Sequence, residues 1–213
     1  MIGVIDYGMG NLFSVAKALE RQDVPYFISR DSTKLLQADG LILPGVGSFK
    51  EAMELLKQSG LAEMIQEYVQ NGRPILGICL GMQLLFQESE ENGMTDGLKI
   101  LPGTVKKFNG TTASGERYKV PHMGWNSLTF LYSSPIFQNV KEDYVYFVHS
   151  YYAVTSNKTI ILAEATYQRE KVPAIVGQGN IFGMQFHPEK SGKLGMALLN
   201  NFTRIVDERM AHV

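Results

Sequence analysis

Short apolar runs alternate with amphipathic, helix-like segments through the first half of the chain. Apolar runs bounded by Gly or Pro are typical of strands that are buried on both faces of a sheet. Repeated strand-helix units predict a parallel sheet with helices on both of its faces. The predicted strands cover residues 2–7, 26–28, 40–43 and 75–78.

The helix-like segments between these runs have recognisable boundaries. Asn11 and Ser48 have side chains suited to capping the helices that follow them. Gly60 separates the helix after Ser48 from a second helix, and Gly72 ends that second helix. The remaining predicted helices are one through Met82, Leu84, Leu85 and Phe86 and an amphipathic one over residues 195–210.

Extended segments separated by Pro, Gly, Ser and Asn dominate the chain after Gly97. We interpret them as a mixed or antiparallel extension of the same sheet. The predicted fold is therefore α/β, a three-layer open sheet that is parallel in the first half and mixed or antiparallel in the second. No internal repeat or linker is evident, so residues 1–213 are expected to form one domain. The extended segments are residues 98–108, 117–120, 144–154, 160–166 and 174–186.

Composition narrows the functional class. The 213 residues include 20 Lys and Arg against 21 Asp and Glu, and no long basic run, which argues against a nucleic-acid-binding surface. No uninterrupted apolar run of about 18 residues and no secretory signal pattern occurs, so neither a membrane span nor export is expected. The single cysteine, Cys79, cannot form an intramolecular disulfide, which favours a reducing compartment, the cytoplasm.

Cys79 lies in the segment GICLG, between a predicted strand and a predicted helix. This is the cysteine counterpart of the strand-turn-helix elbow that exposes a nucleophile at the carboxyl end of an α/β sheet. Gly77 and Gly81 would let neighbouring backbone approach without a Cβ clash. A helix N-terminus beside the sulfur favours thiolate over thiol. The structural alternative is that Cys79 is a small buried core residue, as lone cysteines usually are.

A base and an orienting acid are predicted in the segment His187-Pro188-Glu189, which follows an extended apolar run. A thiolate nucleophile needs an imidazole to hold it and to protonate the leaving nitrogen. Residues i and i+2 of an extended chain share a face, so Glu189 is expected to orient the ring of His187. The alternative is a surface His and a surface Glu on either side of a turn proline.

The other three histidines are weaker candidates for the base. His122 lies in a predicted loop, and His149 lies in a strand-like segment where it would serve as a hydrogen-bonded core residue. His212 is near the end of the chain, where termini usually fray.

The two motifs together resemble the class I, or triad, glutamine amidotransferases. The matching segments are residues 77–83 (GICLGMQ) and 187–189 (HPE). Three further segments narrow the resemblance to the glutaminase subunits of imidazole glycerol phosphate synthase, and the resemblance covers essentially the whole chain. These are residues 6–12 (DYGMGNL), 44–49 (PGVGSF) and 121–126 (PHMGWN).

The resemblance implies the activity and the partner. Glutamine would be hydrolysed to glutamate and ammonia through a thioester on Cys79, without a cofactor or a metal. The partner would be a (β/α)₈ barrel synthase subunit in a heterodimer. It would use the ammonia to make imidazole glycerol phosphate and an aminoimidazole carboxamide ribotide in histidine biosynthesis. No nucleic acid or membrane partner is implied.

The resemblance also implies roles for further residues. Backbone N–H groups of Leu80, the residue after the nucleophile, and of the loop Gly45, Val46 and Gly47 would hold the oxyanion. Because glycines permit a peptide flip, we further hypothesise that this loop is poorly oriented until the partner's substrate site is filled. The alternative is that the loop is an ordinary turn at a strand end. The implied substrate contacts are Gln83, His149, Ser150 and Tyr151, and the implied partner-facing and gating positions are Asn11, Trp125, Asn126, Tyr146 and Lys190.

Three other functions compete with this interpretation. A related triad glutaminase feeding another synthase, for example in surface-sugar amination, would carry the same catalytic residues. A non-catalytic subunit that kept the fold would bind the partner only, although the intact triad argues against it. A dinucleotide enzyme is the weakest candidate, because the third glycine of the fingerprint falls at Phe13.

Overall fold

The computed structural model describes residues 1–211, so His212 lies outside the described residues. In the part of the chain it describes, no helix is long and apolar enough to cross a lipid bilayer. The strands are β1 (Ile2–Ile5), β2 (Tyr26–Ser29), β3 (Gly40–Gly45), β4 (Ile75–Cys79), β5 (Phe86–Ser89), β6 (Thr95–Asp96), β7 (Leu101–Lys107), β8 (His122–Ser127), β9 (Thr129–Phe130), β10 (Tyr144–His149), β11 (Tyr151–Val154), β12 (Ile161–Tyr167), β13 (Glu170–Gln178) and β14 (Ile181–Met184).

The helices form where apolar residues recur at helical spacing after a residue that can cap the helix N-terminus. Asn11 caps the first of them, because its Oδ1 accepts the backbone N–H of Ser14 at 3.2 Å. Asp31 caps the second in the same manner. The helices are α1 (Leu12–Glu20), α2 (Ser32–Leu35), α3 (Phe49–Gln58), α4 (Leu61–Gln70), α5 (Leu80–Leu84) and α6 (Gly192–Met210).

Among residues 1–211, eight strands form the main sheet in the order β2-β1-β3-β4-β14-β13-β12-β9. The pairs from β2 to β14 are parallel, and the pairs from β14 to β9 are antiparallel. The prediction of a sheet that is parallel in the first half and mixed in the second is therefore confirmed. Its consequence for function is that β3, β4 and β14 all end at the same edge.

Helices cover both faces of this sheet, as predicted. On one face, α2, α3 and α4 bury large side chains such as Phe49 and Tyr68. On the other face, α1 and α6 bury Leu19 and Phe202. The strands between them are apolar on both faces, since all residues of β1, β3 and β4 are buried. Burial on both sides fixes the strand ends that carry the candidate catalytic residues.

The second half of the chain departs from the prediction of one extended sheet. Within the described residues, β11, β7, β5 and β6 form a separate four-stranded sheet, and β10 pairs with β8 alone. The predicted segment 144–154 therefore divides at Ser150 between two sheets. Periodicity cannot reveal such a division, because the alternation of buried and exposed residues is the same whichever strand is the neighbour.

The helix predicted through Phe86 is shorter than expected, and Phe86 begins a strand. Hydrogen bonds explain the change. The carbonyls of Leu84, Leu85 and Phe86 accept N–H groups of residues 98–101, which return alongside them. The apolar run alone did not distinguish a continuing helix from a buried strand.

The segment 117–120 is not a strand. It makes one isolated bridge, between Thr111 and Arg117, followed by a hydrogen bond from Tyr118 N–H to the Gly110 carbonyl. The chain beside it is a short turn, which is too short to pair with more than one residue. Within residues 1–211, the segment 117–120 therefore has no neighbouring strand with which to form a sheet.

Candidate active site

The carboxyl ends of three parallel strands meet at one edge of the main sheet. Gly45, the last residue of β3, lies opposite Cys79, the last residue of β4. On the other side of β4, Met184 of β14 lies opposite Ile78, and His187 follows three residues later. The topology thus brings together segments that are about a hundred residues apart in sequence. Ligands of open α/β sheets bind at this end of the strands.

Cys79 occupies a strained turn between β4 and α5. Its φ of 55° and ψ of −111° lie outside the helical and extended regions that L-residues favour. A Cβ at Gly81 would lie 1.8 Å from the carbonyl oxygen of Leu43, and a Cβ at Gly77 would lie 2.6 Å from the carbonyl oxygen of Gly81. Both glycines are therefore required for the close approach of backbone that forms the elbow.

The Cys79 thiol is buried but not sealed in the core. The residue is 7% exposed and lines a cavity of about 410 Å³, a volume suited to a small ligand. A purely structural cysteine would have no reason to face this cavity from a strained backbone. The position favours a reactive thiol over the core alternative.

His187 is held at the same cavity by its backbone and by Glu189. The His187 N–H donates to the Tyr146 carbonyl at 3.2 Å, and the His187 carbonyl accepts the Ser191 hydroxyl at 2.6 Å. Nδ1 of the ring lies 2.8 Å from Oε1 of Glu189, whose side chain is 1% exposed. Because a carboxylate only accepts, Nδ1 carries a proton and Nε2 is left for Cys79.

The charge balance of this group favours a protonated imidazole. Burial alone would lower the pKa of His187, but the interactions with the Cys79 thiolate and then with Glu189 outweigh burial and raise the pKa to about 9. The second carboxylate oxygen of Glu189 is buried and has no hydrogen-bond partner within residues 1–211. The imidazole of His187 is thus the partner that the structure shows for this carboxylate.

The cavity collects most of the residues that the sequence singled out. Asn11, Trp125, Asn126 and Tyr146 do not line it, and Gly45 lies behind its wall. Glu189 is also outside the lining and belongs to the site through its contact with His187. The described lining consists of Val46, Gly47, Cys79, Leu80, Gln83, Glu91, Pro121, Val148, His149, Ser150, Tyr151, His187 and Lys190.

Gly45 packs against the start of α5, behind the loop that the resemblance assigns to the oxyanion. A Cβ on Gly45 would lie 2.7 Å from the Gly81 nitrogen and 2.8 Å from the Tyr7 hydroxyl. Gly47 has a φ of +99°, which favours glycine, and Val46 between them is 41% exposed. The loop is thus fixed by close packing at one end and has open space at its middle.

Tyr7 places a polar atom without a partner beside this loop. The residue is 5% exposed, and its hydroxyl has no hydrogen-bond partner within the described residues. Burial, and then the nearby Cys79 charge, raise the pKa of this phenol. The hydroxyl therefore remains protonated and unpaired in this conformation, which costs stability.

Replacing Tyr7 with Phe is expected to raise the free energy of unfolding, by about 1 kcal/mol, because it removes an unpaired buried hydroxyl without changing the ring. Chemical denaturation of both proteins measures the difference. If the free energy of unfolding of Tyr7→Phe instead falls by more than about 1 kcal/mol, the hydroxyl has a hydrogen-bond partner in solution.

Gln83 is oriented by the wall of the cavity. Its Nε2 donates to the Tyr151 carbonyl at 2.9 Å and to Oε1 of Gln185 at 3.0 Å. Both hydrogens of the amide are thus used, so only the amide oxygen of Gln83 is left to meet a ligand. His149 is buried and its Nδ1 lies 2.8 Å from the same Tyr151 carbonyl.

Two polar residues of the site were missed from the sequence, Glu91 in the cavity lining and Gln185 in the core behind it. Glu91 lies in the wall, and its Oε2 accepts the Phe49 N–H at 2.8 Å, so it caps α3 in place of Ser48, whose side chain makes no cap bond. Gln185, fully buried, places Nε2 3.9 Å from the Cys79 sulfur. The acidic run at residues 88–91 was a signal for Glu91. Only the fold reveals the role of Gln185.

The predicted partner-facing residues lie outside or at the rim of the cavity. Trp125 is 56% exposed, and its ring meets the Tyr146 ring edge-on, with centroids 6.1 Å apart. Lys190 is exposed at the cavity rim. Asn11 caps α1, and Asn126 is half-buried, with Nδ2 2.9 Å from the Thr166 carbonyl.

Comparison with known proteins identifies the family of the chain. The family described as "Glutamine amidotransferase class-I" matches residues 3–206. The protein called imidazole glycerol phosphate synthase subunit HisH is 60% identical in Geobacillus sp. (strain WCH70), covering 97% of this chain and 98% of that protein. The protein of the same name from Bacillus subtilis (strain 168) is 53% identical, covering 98% of each chain.

Solved structures support the fold. A chain of PurLQS from Thermotoga maritima superposes with a TM-score of 0.70 at 19% identity, covering 96% of this chain and 98% of that one. At that identity the likeness shows the fold alone. The family membership is shown by the near-full-length match to the family and to relatives above 50% identity. The chain belongs to the class I glutamine amidotransferases, within the family of HisH subunits of imidazole glycerol phosphate synthase.

Proposed function

We propose that this chain is the glutaminase subunit of an imidazole glycerol phosphate synthase and that Cys79, His187 and Glu189 are its catalytic triad. The observation that carries the proposal is the meeting of a thiol, an imidazole and a buried carboxylate at the carboxyl edge of the sheet. The chain enters histidine biosynthesis through this activity, by releasing ammonia from glutamine for the synthase.

The reaction is acyl transfer through a thioester. The Cys79 thiolate attacks the side-chain amide carbon of glutamine, and the oxyanion is held by the N–H groups of Leu80 and of the loop Gly45 to Gly47. His187 protonates the leaving nitrogen, so the C–N bond breaks and ammonia departs. Water, deprotonated by the same ring, then attacks the thioester and releases glutamate with the thiolate restored.

The cavity wall supplies groups for the rest of the glutamine molecule. Within the described lining, Glu91 is the carboxylate, and its charge suits the α-ammonium group of an amino acid. Lys190 at the rim suits the α-carboxylate. The free amide oxygen of Gln83 and the backbone of Ser150 and Tyr151 would pair with the remaining polar atoms.

The proposed partner is a (β/α)₈ barrel synthase subunit in a heterodimer. Support comes from the exposed Trp125 beside Tyr146, since Trp and Tyr often anchor interfaces. The barrel would take the ammonia and form imidazole glycerol phosphate and an aminoimidazole carboxamide ribotide. A cytoplasmic location is proposed because a catalytic thiol must remain reduced.

Glutamate release measures the proposed function directly. The chain is assayed alone, with the synthase subunit, and with that subunit plus its nucleotide substrate. We expect release that rises when the partner's site is filled, as the oxyanion loop is aligned. Equal turnover by the isolated chain and the full complex would contradict the loop switch, and no release under any condition would contradict the function.

Replacing Glu189 with Gln is expected to lower kcat/KM by a factor on the order of 10² to 10⁴, as for other triads whose orienting acid is lost. The pH profile should change as well. His187 must hold a proton to release ammonia, and its raised pKa keeps that proton up to pH about 9. Without the carboxylate the pKa falls, so the alkaline loss of kcat/KM moves to lower pH.

Glu208→Gln is the matched control, because Glu208 is an exposed glutamate on α6 that lies far from the cavity. Its pH profile should follow that of the unmodified protein. If kcat/KM of Glu189→Gln falls at the same alkaline pH as kcat/KM of the unmodified protein, Glu189 does not set the pKa of His187.

A further inference from the structure

Two buried histidines outside the triad face each other across the two-stranded sheet. His122 of β8 and His149 of β10 are directly paired in register. They are 3% and 6% exposed, and Nδ1 of His122 lies 3.0 Å from Nε2 of His149. The His122 ring is clamped between the rings of Phe147 and Tyr167, with centroids 4.5 Å and 4.1 Å away. Its orientation is therefore fixed by packing.

The partners of these rings determine where each proton lies. His149 Nδ1 faces the Tyr151 carbonyl, an acceptor only, so Nδ1 carries the proton and Nε2 of a neutral ring accepts. His122 Nδ1 must then donate to His149 Nε2, which leaves His122 Nε2 as an acceptor.

Asn126 completes this arrangement at the outer end. Its Nδ2 lies 3.2 Å from His122 Nε2 and 2.9 Å from the Thr166 carbonyl. Its Oδ1 accepts the Ser127 N–H at 2.9 Å, which fixes the orientation of the amide. Each donor thus meets an acceptor, in one consistent direction from Asn126 to Tyr151.

Both rings are neutral near pH 7, as this arrangement requires. Burial lowers the pKa of His122 to about 4. Burial is also the main reason why the pKa of His149 is lowered to about 3, although its bond to the Tyr151 carbonyl opposes the change. A second proton on either ring would set two donors against each other.

At the inner end the chain of hydrogen bonds reaches the candidate active site. The Tyr151 carbonyl accepts from both His149 and Gln83. Gln83 then donates to Gln185, whose Nε2 points at the Cys79 sulfur from 3.9 Å. The network therefore runs from the strand that carries exposed Trp125 to the wall that would bind glutamine.

We propose that His122 is a positioning residue that fixes the tautomer of His149 and thereby holds the Tyr151 carbonyl and the Gln83 amide in place for glutamine. The proposal rests on the proposed glutaminase function for its kinetic consequence. The hydrogen-bond directions stand independently of that function. His122 touches neither the substrate nor the reacting atoms.

Two substitutions of His122 separate its hydrogen bond from its packing. The amide nitrogen of Asn falls where Nδ1 of His lies, whereas the amide of Gln falls where Nε2 lies. Both lose the ring stacked between Phe147 and Tyr167.

The expected results differ for the two variants in glutaminase assays of the complex with the synthase subunit. His122→Gln should raise KM for glutamine about tenfold, the equivalent of one lost buried hydrogen bond. His122→Asn should leave KM within about threefold.

The full chain is labelled with ¹⁵N-histidine, and the tautomers are read from the ¹⁵N chemical shifts of the rings. The chain has four histidines, and their signals are assigned by comparison with the spectra of variants that lack one histidine. We expect both His122 and His149 to be neutral from pH 6 to 8, each with its proton on Nδ1. A proton on Nε2 of either ring, or titration of either ring in this range, overturns the network even if glutaminase activity is present. Equal KM values in the two variants overturn the positioning role, and loss of activity in the unmodified complex refutes the proposed function alone.

Discussion

Replacing Cys79 with Ala is expected to lower glutamine-dependent turnover of the complex by a factor on the order of 10⁴ or more, because loss of a nucleophile removes the covalent route entirely. The cavity and the triad partners should otherwise remain, since a methyl group fits where the thiol was. Glutamate release and product formation by the complex are measured with glutamine as the nitrogen source.

Ammonia is the control for this variant. With ammonium salts in place of glutamine, the complex that carries Cys79→Ala should form product at the rate of the unmodified complex. This separates loss of the nucleophile from loss of the partner. Unchanged use of glutamine by the variant would instead support a non-catalytic, partner-binding subunit.

The second large effect is expected from Gly81→Ala. The added Cβ would lie 1.8 Å from the Leu43 carbonyl oxygen, a backbone atom in the buried strand β3. Neither the strand nor the elbow can move without disturbing the pairing of β3 with β4. We expect the free energy of unfolding to fall by at least about 3 kcal/mol, as for severe overpacking, measured by chemical denaturation.

Gly60→Ala is the matched control for Gly81→Ala. Gly60 has a φ of +72° and open space around its Cβ position, so the substitution tests backbone strain without a collision. Gly60→Ala should lower the free energy of unfolding by only about 1 kcal/mol. Similar costs at the two positions would show that the elbow tolerates a Cβ, contrary to the structure.

The sequence predicted the elbow because its determinants are local. The run before Cys79, the glycines at positions 77 and 81, and the helical pattern after them all lie within about ten residues, a window that periodicity resolves. The same holds for His187 and Glu189, which are two residues apart. The repeated strand-helix units cover only the first half of the chain, so the meeting of these two segments at one sheet edge followed from the triad that the resemblance implies.

Features that depend on contacts between distant segments were not predictable. Glu91 caps a helix that begins at Phe49, forty-two residues earlier. Gln185 reaches Cys79 across 106 positions of sequence. The pairing of His122 with His149 depends on β8 and β10 leaving the main sheet, which alternation of polar and apolar residues does not encode. Propensity also cannot show that Phe86 begins a strand, since residues 98–101 decide it.

A glutamyl thioester on Cys79 is the species that distinguishes covalent catalysis by this residue from any other route to glutamate. The complex with the synthase subunit and its nucleotide ligand is mixed with glutamine, quenched in acid during turnover, digested and analysed by mass spectrometry. We expect one glutamyl group, bound through a thioester to the peptide that contains Cys79. Steady glutamate release with no acylated Cys79, or with the glutamyl group on another residue, would contradict covalent catalysis by Cys79.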